Sequence, residues 1–539
     1  MRTPRFVTMA TLAILLSALA GGFLGARAQA TQDQVQQQYR IYTAALTAVD
    51  REYVDPVASD RIIYDSINGM LQTLDPHSSF FDPKQYAQMR ERQSGQYYGI
   101  GLSILTINGD VTAMSVFEGS PAYKAGLRRG DVIAKVAGQS AKNWTTEETA
   151  AKLKGPKGTK VQISIRRPGY DQLIDMDVER DAVNIVTVKG VFMLDPQTGY
   201  IKLGDFSETS AKEVSDALNQ LKAQGMKRLV FDLRDNPGGP LDQAIRIANF
   251  FLPRGDLIVY LRGRVPNLDQ DYRGEEDPIF NGPMIVLTSR NSASASEIVT
   301  GSLQDHDRAL VVGEQTFGKA LVQSVYKISE NAGLALTTGR YFTPSGRMIQ
   351  RPWDQAFDEY LTYSMREQTG QREHSPAQLK YTDAGRKVYG GGGIEPDKFF
   401  LGPVQGFNPT RFSRMLLGRS AFLNFAERYA AEGDTRMSAA TKGKKRVTKG
   451  FTVDDGMIND FRAFLENEKV KIDEDAFKKD LDFIKSEIHY EIDVALFGVS
   501  EAQKNLIARD PQAQYAMSQF SDAVKLTELA KNRVGAKGH

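Results

Sequence analysis

The chain has 539 residues, of which 41% are hydrophobic and 25% charged, and carries a net charge of +2. That near-neutral balance leaves no electrostatic footprint for nucleic acid. With no cysteine and five histidines, disulfides, thiolate nucleophiles and thiol ligands are excluded.

Residues 1–30 read as an export segment. Arg2 and Arg5 form a basic start, and an uncharged apolar run of 18 residues follows from Val7 to Leu24. Ala26-Arg27-Ala28 and Ala28-Gln29-Ala30 both suit cleavage. The run is also near the ~17–25 residues of a membrane span, so a cleaved signal and a retained anchor are both open. Lack of cysteine rules out a lipid-modified cysteine anchor. The predicted location is the periplasm or cell envelope. What remains suggests about three or four domains at ~100–200 residues each.

Residues 31–95 are predicted helical. Val35, Tyr39, Tyr42, Leu46, Val49 and Tyr53 recur at alternating spacings of four and three, one face of a helix. Pro56 ends that pattern. Ser59 suits an N-cap for a second helix bearing Ile63, Ile67, Met70 and Leu74. Two such helices cannot close a large core, so they must pack on the body of the protein or on a partner chain.

From about Gly95 the texture turns to short apolar runs punctuated by glycine. Tyr98 to Ile104 alternates as a strand does, and Val111 to Val116 makes another. Then follows Gly119-Ser120-Pro121-Ala122-Tyr123-Lys124-Ala125-Gly126-Leu127-Arg128-Arg129-Gly130-Asp131-Val132-Ile133. The ordered run resembles a PDZ domain over residues 96–183. In that reading Gly99, Ile100, Gly101 and Leu102 form a loop whose N–H groups converge on a peptide's terminal carboxylate, while the adjoining strand edge pairs with the peptide. Arg167 sits where related enzymes carry an arginine that links the PDZ domain to the active site; a surface charge is the other reading.

Residues 184–405 alternate strand, turn and helix, the texture of an α/β core. Leu229 to Leu233 is a short strand running into Arg234-Asp235-Asn236-Pro237-Gly238-Gly239, with a helix from Leu241 to Phe251. Met284 to Thr288 is a second strand, running into Ser292-Ala293-Ser294-Ala295-Ser296-Glu297-Ile298. Val311 to Gly313 is a third, preceding Thr316-Phe317-Gly318-Lys319. A polar insert, Asp354 to Lys387, interrupts this region. Residues 406–539 are charged and helical, with Phe477, Leu481, Ile484, Ile488 and Ile492 on one face. They read as a helical appendage or a contribution to a dimer. The basic cluster Lys442 to Lys449 reads as a solvated linker, with attraction to an anionic membrane surface as the alternative.

A serine hydroxyl needs a base within hydrogen-bond reach. His306 would be carried away from the serine turn by the helix between them, and the other histidines lie in the N-terminal turn, the insert and the tail. Lysine can serve if desolvation lowers its pKa from ~10.4 to ~7–8. Lys319, 25 positions after Ser294, has Phe317, Leu321 and Val322 around it. Gln323 stands four positions on, an offset that shares a face in helix and strand alike, and can orient the amine. The oxyanion wants two fixed donors. The Ala295 amide is one candidate and the Gly238-Gly239 pair the other. Spacing alone does not choose among Ser292, Ser294 and Ser296.

These motifs, with Gly393-Ile394-Glu395-Pro396-Asp397, resemble the carboxyl-terminal processing peptidases, PDZ-containing serine proteases of the tail-specific type, over residues 35–400. The resemblance implies Ser294 as nucleophile, Lys319 as base and Gln323 as its orienting residue. It implies a multidomain α+β protein: a β/α core of the crotonase and Clp-protease type, an inserted PDZ domain, and helical N- and C-terminal regions. The implied substrates are proteins or peptides with exposed C-terminal tails, and no metal or cofactor is implied. In relatives the helical ends build a homodimer, and some relatives need an adaptor protein. Ala320 departs from the glycine that commonly follows the lysine. The rival reading is a PDZ scaffold on a silent protease-like core, which the presence of both Ser294 and Lys319 disfavours.

Overall fold

The structure, a computed structural model, describes residues 35–537 apart from 108, 168–169, 266–267, 354–356, 367–373, 401–408, 427–428 and 430–446. The export segment and most of the basic cluster lie outside the described residues. The chain divides into two compact units, one of residues up to Tyr86 with Gln323–Thr337, the other of the remainder.

In the larger unit, six strands lie side by side in chain order: β1 (Val188–Asp195), β2 (Thr198–Leu203), β3 (Arg228–Asp232), β4 (Met284–Thr288), β5 (Leu310–Gly313) and β6 (Lys398–Phe399). β1 and β2 pair antiparallel, and every later pair is parallel. Parallel strands need crossovers, and helices α1 (Ser210–Ala223), α2 (Leu241–Asn249) and α3 (Ala295–Asp305) supply them. All five residues of β4 are buried, as expected of a strand covered on both faces. One face of the sheet, through Leu203, Phe231 and Val286, packs on Leu218, Ile247 and Val299 of these helices. The opposite face, through Tyr200, Val230, Ile285 and Val312, is covered by Ala516, Phe520, Ala523 and Leu526.

Those last residues belong to the helices Pro511–Ser518 and Phe520–Lys537. The appendage reading of the tail is therefore corrected: its final helices are a layer of the core. Strand residues alternate sides, so apolar runs such as Met284 to Leu287 create a second face that something must bury. The preceding part of the tail has its own aromatic centre of Phe412, Phe422, Phe425, Phe461, Phe464 and Phe477. The apolar series from Phe477 to Ile492 spans two helices, Glu474–Lys479 and Leu481–Phe497. They break at Asp480, whose carboxylate accepts the Thr410 amide at 2.9 Å and hydroxyl at 2.6 Å.

The PDZ-like segment is an antiparallel sheet of Leu102–Ile107, Asp110–Val116, Val132–Val136, Lys160–Arg166 and Ile174–Glu179 around Val111, Ile133, Ile163 and Ile165. Strand Gln96–Gly99 pairs with Asp181–Asn184, closing the segment where its chain enters and leaves. The single strand expected from Tyr98 to Ile104 is thus two, separated at Gly101 with φ +84°.

In the smaller unit, helix 35–52 precedes helix Ser59–Gln72. Ala58, not Ser59, takes the N-cap position, and the Ser59 hydroxyl instead donates to Asp50. The inward face is Tyr64, Ile67 and Leu71, against Phe80 and Ala332. Ile63, Met70 and Leu74 are 41%, 59% and 58% exposed, so the expected stripe is rotated. On helix 35–52, Val35, Tyr39, Tyr42 and Val49 are exposed too. Among the described residues no helix is long and apolar enough to cross a membrane.

Candidate active site

Because β3, β4 and β5 run parallel, the turns after them emerge at one end of the sheet. The glycine turn 234–239, the serine turn and the lysine segment are thereby neighbours, although the chain separates them widely.

Ser294 is the residue immediately before α3 and has φ +54° and ψ −113°, a conformation that costs a non-glycine residue energy. The structure separates the three serines. Ser292 donates its hydroxyl to the Leu233 carbonyl at 2.8 Å, and Ser296 donates to the Asn236 carbonyl at 3.0 Å. Both are fully buried, whereas Ser294 is half-buried.

Two side chains bind the serine and lysine backbones together. The Glu297 carboxylate accepts the amides of Ser294 and Lys319, both at 2.8 Å, the Gly318 amide at 2.7 Å and the Thr316 hydroxyl. The Tyr341 hydroxyl lies 2.6 Å from the Lys319 carbonyl and 3.1 Å from that of Ser294. Glu297 has no exposed surface. Burial pushes its pKa up to about 7, against the pull of those four donors. Tyr341 is likewise raised well above its ordinary value by burial, with the Glu297 charge adding to it.

Gly238 presses on the serine turn. A Cβ there would come within 2.7 Å of the Ala293 carbonyl and 2.8 Å of Ser294 Cβ, and its φ is +93°. Its amide donates to Asn236 Oδ1 at 2.9 Å, while Gly239 is the more exposed of the pair. Ala295 is the first residue of α3, where an amide has no acceptor within the helix. Beneath this turn, Asp232 receives Arg234 and the Tyr200 hydroxyl. Burial alone would raise the Asp232 pKa, but the Arg234 and Lys202 charges outweigh it and hold the carboxyl well below the usual range.

Comparison with known proteins bears on this geometry directly. Residues 197–353 match peptidase family S41, residues 112–167 match the PDZ domain, and residues 412–498 match a family of unknown function. The carboxy-terminal-processing protease of Bartonella bacilliformis is 38% identical over 307 residues, 56% of this chain and 70% of that protein. The carboxyl-terminal-processing protease of Picosynechococcus is 38% identical over 287 residues, 52% of this chain and 69% of that protein. The carboxy-terminal processing protease CtpA of Bacillus subtilis is 32% identical over 353 residues, 64% and 74% of the two chains. The chain belongs to the carboxyl-terminal processing peptidase family. It is a PDZ-containing serine endopeptidase that recognises the C-terminal tails of protein substrates.

In this peptidase the segment Gly99 to Leu102 is shaped by close packing. Gly101 takes φ +84°, and a Cβ on it would come 2.3 Å from Ser120 Cβ. Its carbonyl accepts the Phe117 amide at 3.1 Å, and the Ile100 carbonyl accepts the Ala122 amide at 2.7 Å. Ile100 is buried, and Leu102 starts the next strand. A Cβ on Gly99 would meet the Tyr97 ring at 2.9 Å, and the Lys154 ammonium lies 4.9 Å from that ring's centroid. Burial, then the Glu91 charge, pushes the Tyr97 pKa up to about 12.

Arg167 is not a surface charge. It is buried, with a paired contact to Asp131 at 2.7 Å on both oxygens and a bond to the Gly126 carbonyl at 2.8 Å. Gln323 lies in strand Leu321–Lys327, and its amide approaches Thr337 Oγ1 at 3.4 Å. Lys319 precedes that strand, so the offset of four has no regular element to run along. His306 caps the far end of α3, bonded to Asp383 and to the Leu257 carbonyl at 2.6 Å each.

Sequence reasoning missed Glu297 and Tyr341. Glu297 had a signal: Ser294-x-x-Glu297 is a capping-box spacing at a helix start. Tyr341 had none, because only the tertiary fold carries it beneath both backbones.

Proposed function

We propose that Ser294 is the nucleophile and Lys319 the general base of this peptidase. The observation that carries the reading is the shared grip of Glu297 and Tyr341 on both residues, with Ser294 the one half-buried serine of the turn. Ser294 Oγ attacks the scissile carbonyl carbon and its proton passes to Lys319 Nζ. The C–N bond then breaks, the lysine returns the proton to the leaving amine, and water hydrolyses the acyl-enzyme by the same base. Gln323 orients the lysine. Ala295 and the Gly238-Gly239 turn supply the oxyanion donors; since Asn236 engages the Gly238 amide, Gly239 is the better placed of the two.

The PDZ loop Gly99 to Leu102 receives the substrate's terminal carboxylate, and Arg167 stiffens the domain by clamping Asp131 at the start of a strand. The core is of the crotonase and Clp-protease type, with domains at 31–95, 96–183, 184–405 and 406–539. The protein is exported by residues 1–30, works in the periplasm or envelope, pairs as a homodimer through its helical ends and accepts an adaptor. The exposed apolar residues of helix 35–52 support the pairing.

Cleavage of an unfolded reporter with an apolar tail tests the chemistry. Wild type should cut it, while Ser294→Ala and Lys319→Ala should each lose activity by at least ~10³-fold. Retained activity in Lys319→Ala would remove lysine as the base.

A further inference from the structure

Residues 315–320 belong to no helix or strand, so no regular hydrogen-bond ladder fixes Lys319. Glu297 holds one side of the segment. The other side is held by residues at the edge of the polar insert. Arg351 Nε donates to the Phe317 carbonyl at 2.8 Å, Nη2 to the Thr316 carbonyl at 3.3 Å, and its backbone amide to the Gly318 carbonyl at 2.9 Å. Gln350 Oε1 accepts the Ala320 amide at 2.8 Å.

Tyr360 and Tyr363 of the insert then pack over this grip. The Arg351 guanidinium lies 3.5 Å from the centroid of the Tyr363 ring, the arrangement in which a cation meets an aromatic face. The Tyr363 hydroxyl donates to the Gln315 carbonyl at 3.2 Å. Phe317, two residues before the lysine, packs edge-to-face with Tyr360 at 5.3 Å and with Tyr363 at 6.0 Å. Trp353 backs Tyr360, which is 1% exposed. The Arg366 carbonyl accepts from Arg290, which tethers the insert to the chain just ahead of the serine turn.

We propose that Tyr360, Tyr363 and Arg366 of the insert hold the segment that carries Lys319 in place, with Tyr363 as the positioning residue. Its ring fixes Arg351 and Phe317, and through them the backbone that carries Lys319. This rests on the reading of Lys319 as the base. Tyr363 touches no reacting atom, so its loss should slow chemistry and leave tail recognition alone. A displacement of ~1 Å in a catalytic group can cost ~10²-fold in rate.

The test is steady-state cleavage of the tail-bearing reporter by the full chain carrying Tyr363→Phe, Tyr363→Ala or Tyr363→Leu, with melting curves alongside. Tyr363→Phe keeps the ring and should keep kcat near wild type. Tyr363→Ala and Tyr363→Leu should lower kcat by ~10–100-fold at nearly unchanged KM. If the alanine variant does not fold, the leucine variant, which fills the space without an aromatic face, carries the same comparison. Unchanged kcat in folded Tyr363→Leu would overturn the proposal, as would equal losses in the phenylalanine and leucine variants or a rise in KM alone. Lys319→Ala measured in parallel separates the two ideas. Its retained activity would sink the reading of the base, whereas its inactivity beside a fully active Tyr363→Leu would sink only the role of the insert.

Discussion

Glu297 illustrates how one buried charge serves geometry. Four donors converge on its two oxygens and favour the ionised carboxylate, while burial favours the protonated acid and is the larger effect. Glu297→Gln substitutes a donor for one oxygen, leaving buried N–H groups facing it; kcat should fall by ~10–100-fold. The pH dependence follows from a folded pKa of about 7, raised above the ordinary 4.5. The protonated group is favoured in the fold, so its stabilising contribution is complete below about pH 4.5 and lost as pH rises through 7. The melting temperature of wild type relative to Glu297→Gln should therefore decline between about pH 5 and 7. A difference that stays flat or grows with pH would contradict the assignment. Gly238 offers a second check. At φ +93° with Ser294 Cβ only 2.8 Å away, Gly238→Ala must displace the serine turn, and peptidase activity should fall by at least ~10²-fold.

At the scale of elements, the PDZ loop and the protease turns are separable. Gly101 is required by its left-handed backbone and its approach to Ser120, neither of which touches the serine turn. Gly101→Ala should weaken binding of a tail peptide by ~10-fold or more, while hydrolysis of a short peptide that bypasses the PDZ domain stays near wild type. Fluorescence titration with a labelled tail, set beside short-peptide turnover, reads both. Parallel losses in the two assays would mean the loop is coupled to the protease core. The buried Arg167–Asp131 pair belongs to the same scale. It joins the start of strand Val132–Val136 to the end of strand Lys160–Arg166. Removing either partner strands the other charge, at a cost of ~3–5 kcal/mol.

For the molecule as a whole, the two terminal helices decide the fate of the core sheet. Phe520 is 3% exposed among Tyr200, Val230 and Ile285, so Phe520→Ala should cost ~3–5 kcal/mol by chemical denaturation. Truncation after Asp510 would uncover the face around Tyr200, Val230, Ile285 and Val312, and the shortened chain should aggregate or bind hydrophobic dyes rather than behave as a trimmed protease. A soluble, active truncation would restore the idea of an appendage.

Much of this was legible in one dimension. The strands ending in Asp232, Thr288 and Gly313 announced themselves as apolar runs closed by turn residues, and the PDZ segment by its ordered glycines. The chemistry followed from which nucleophiles and bases the chain possesses. Local patterns succeed there because backbone propensity and burial act over a few residues. Spacing did not choose among Ser292, Ser294 and Ser296; the resemblance implied Ser294, and in the fold the other two hydroxyls are claimed by the Leu233 and Asn236 carbonyls, more than fifty positions away. The stripe on helix Ser59–Gln72 was misplaced because apolar spacing does not say which flank meets Phe80. The burial of Arg167, the grip of Tyr341 and the layer formed by the last helices were likewise beyond reach. Each depends on contacts between segments remote in sequence, and chain spacing carries no information about which remote segment will supply the missing partner.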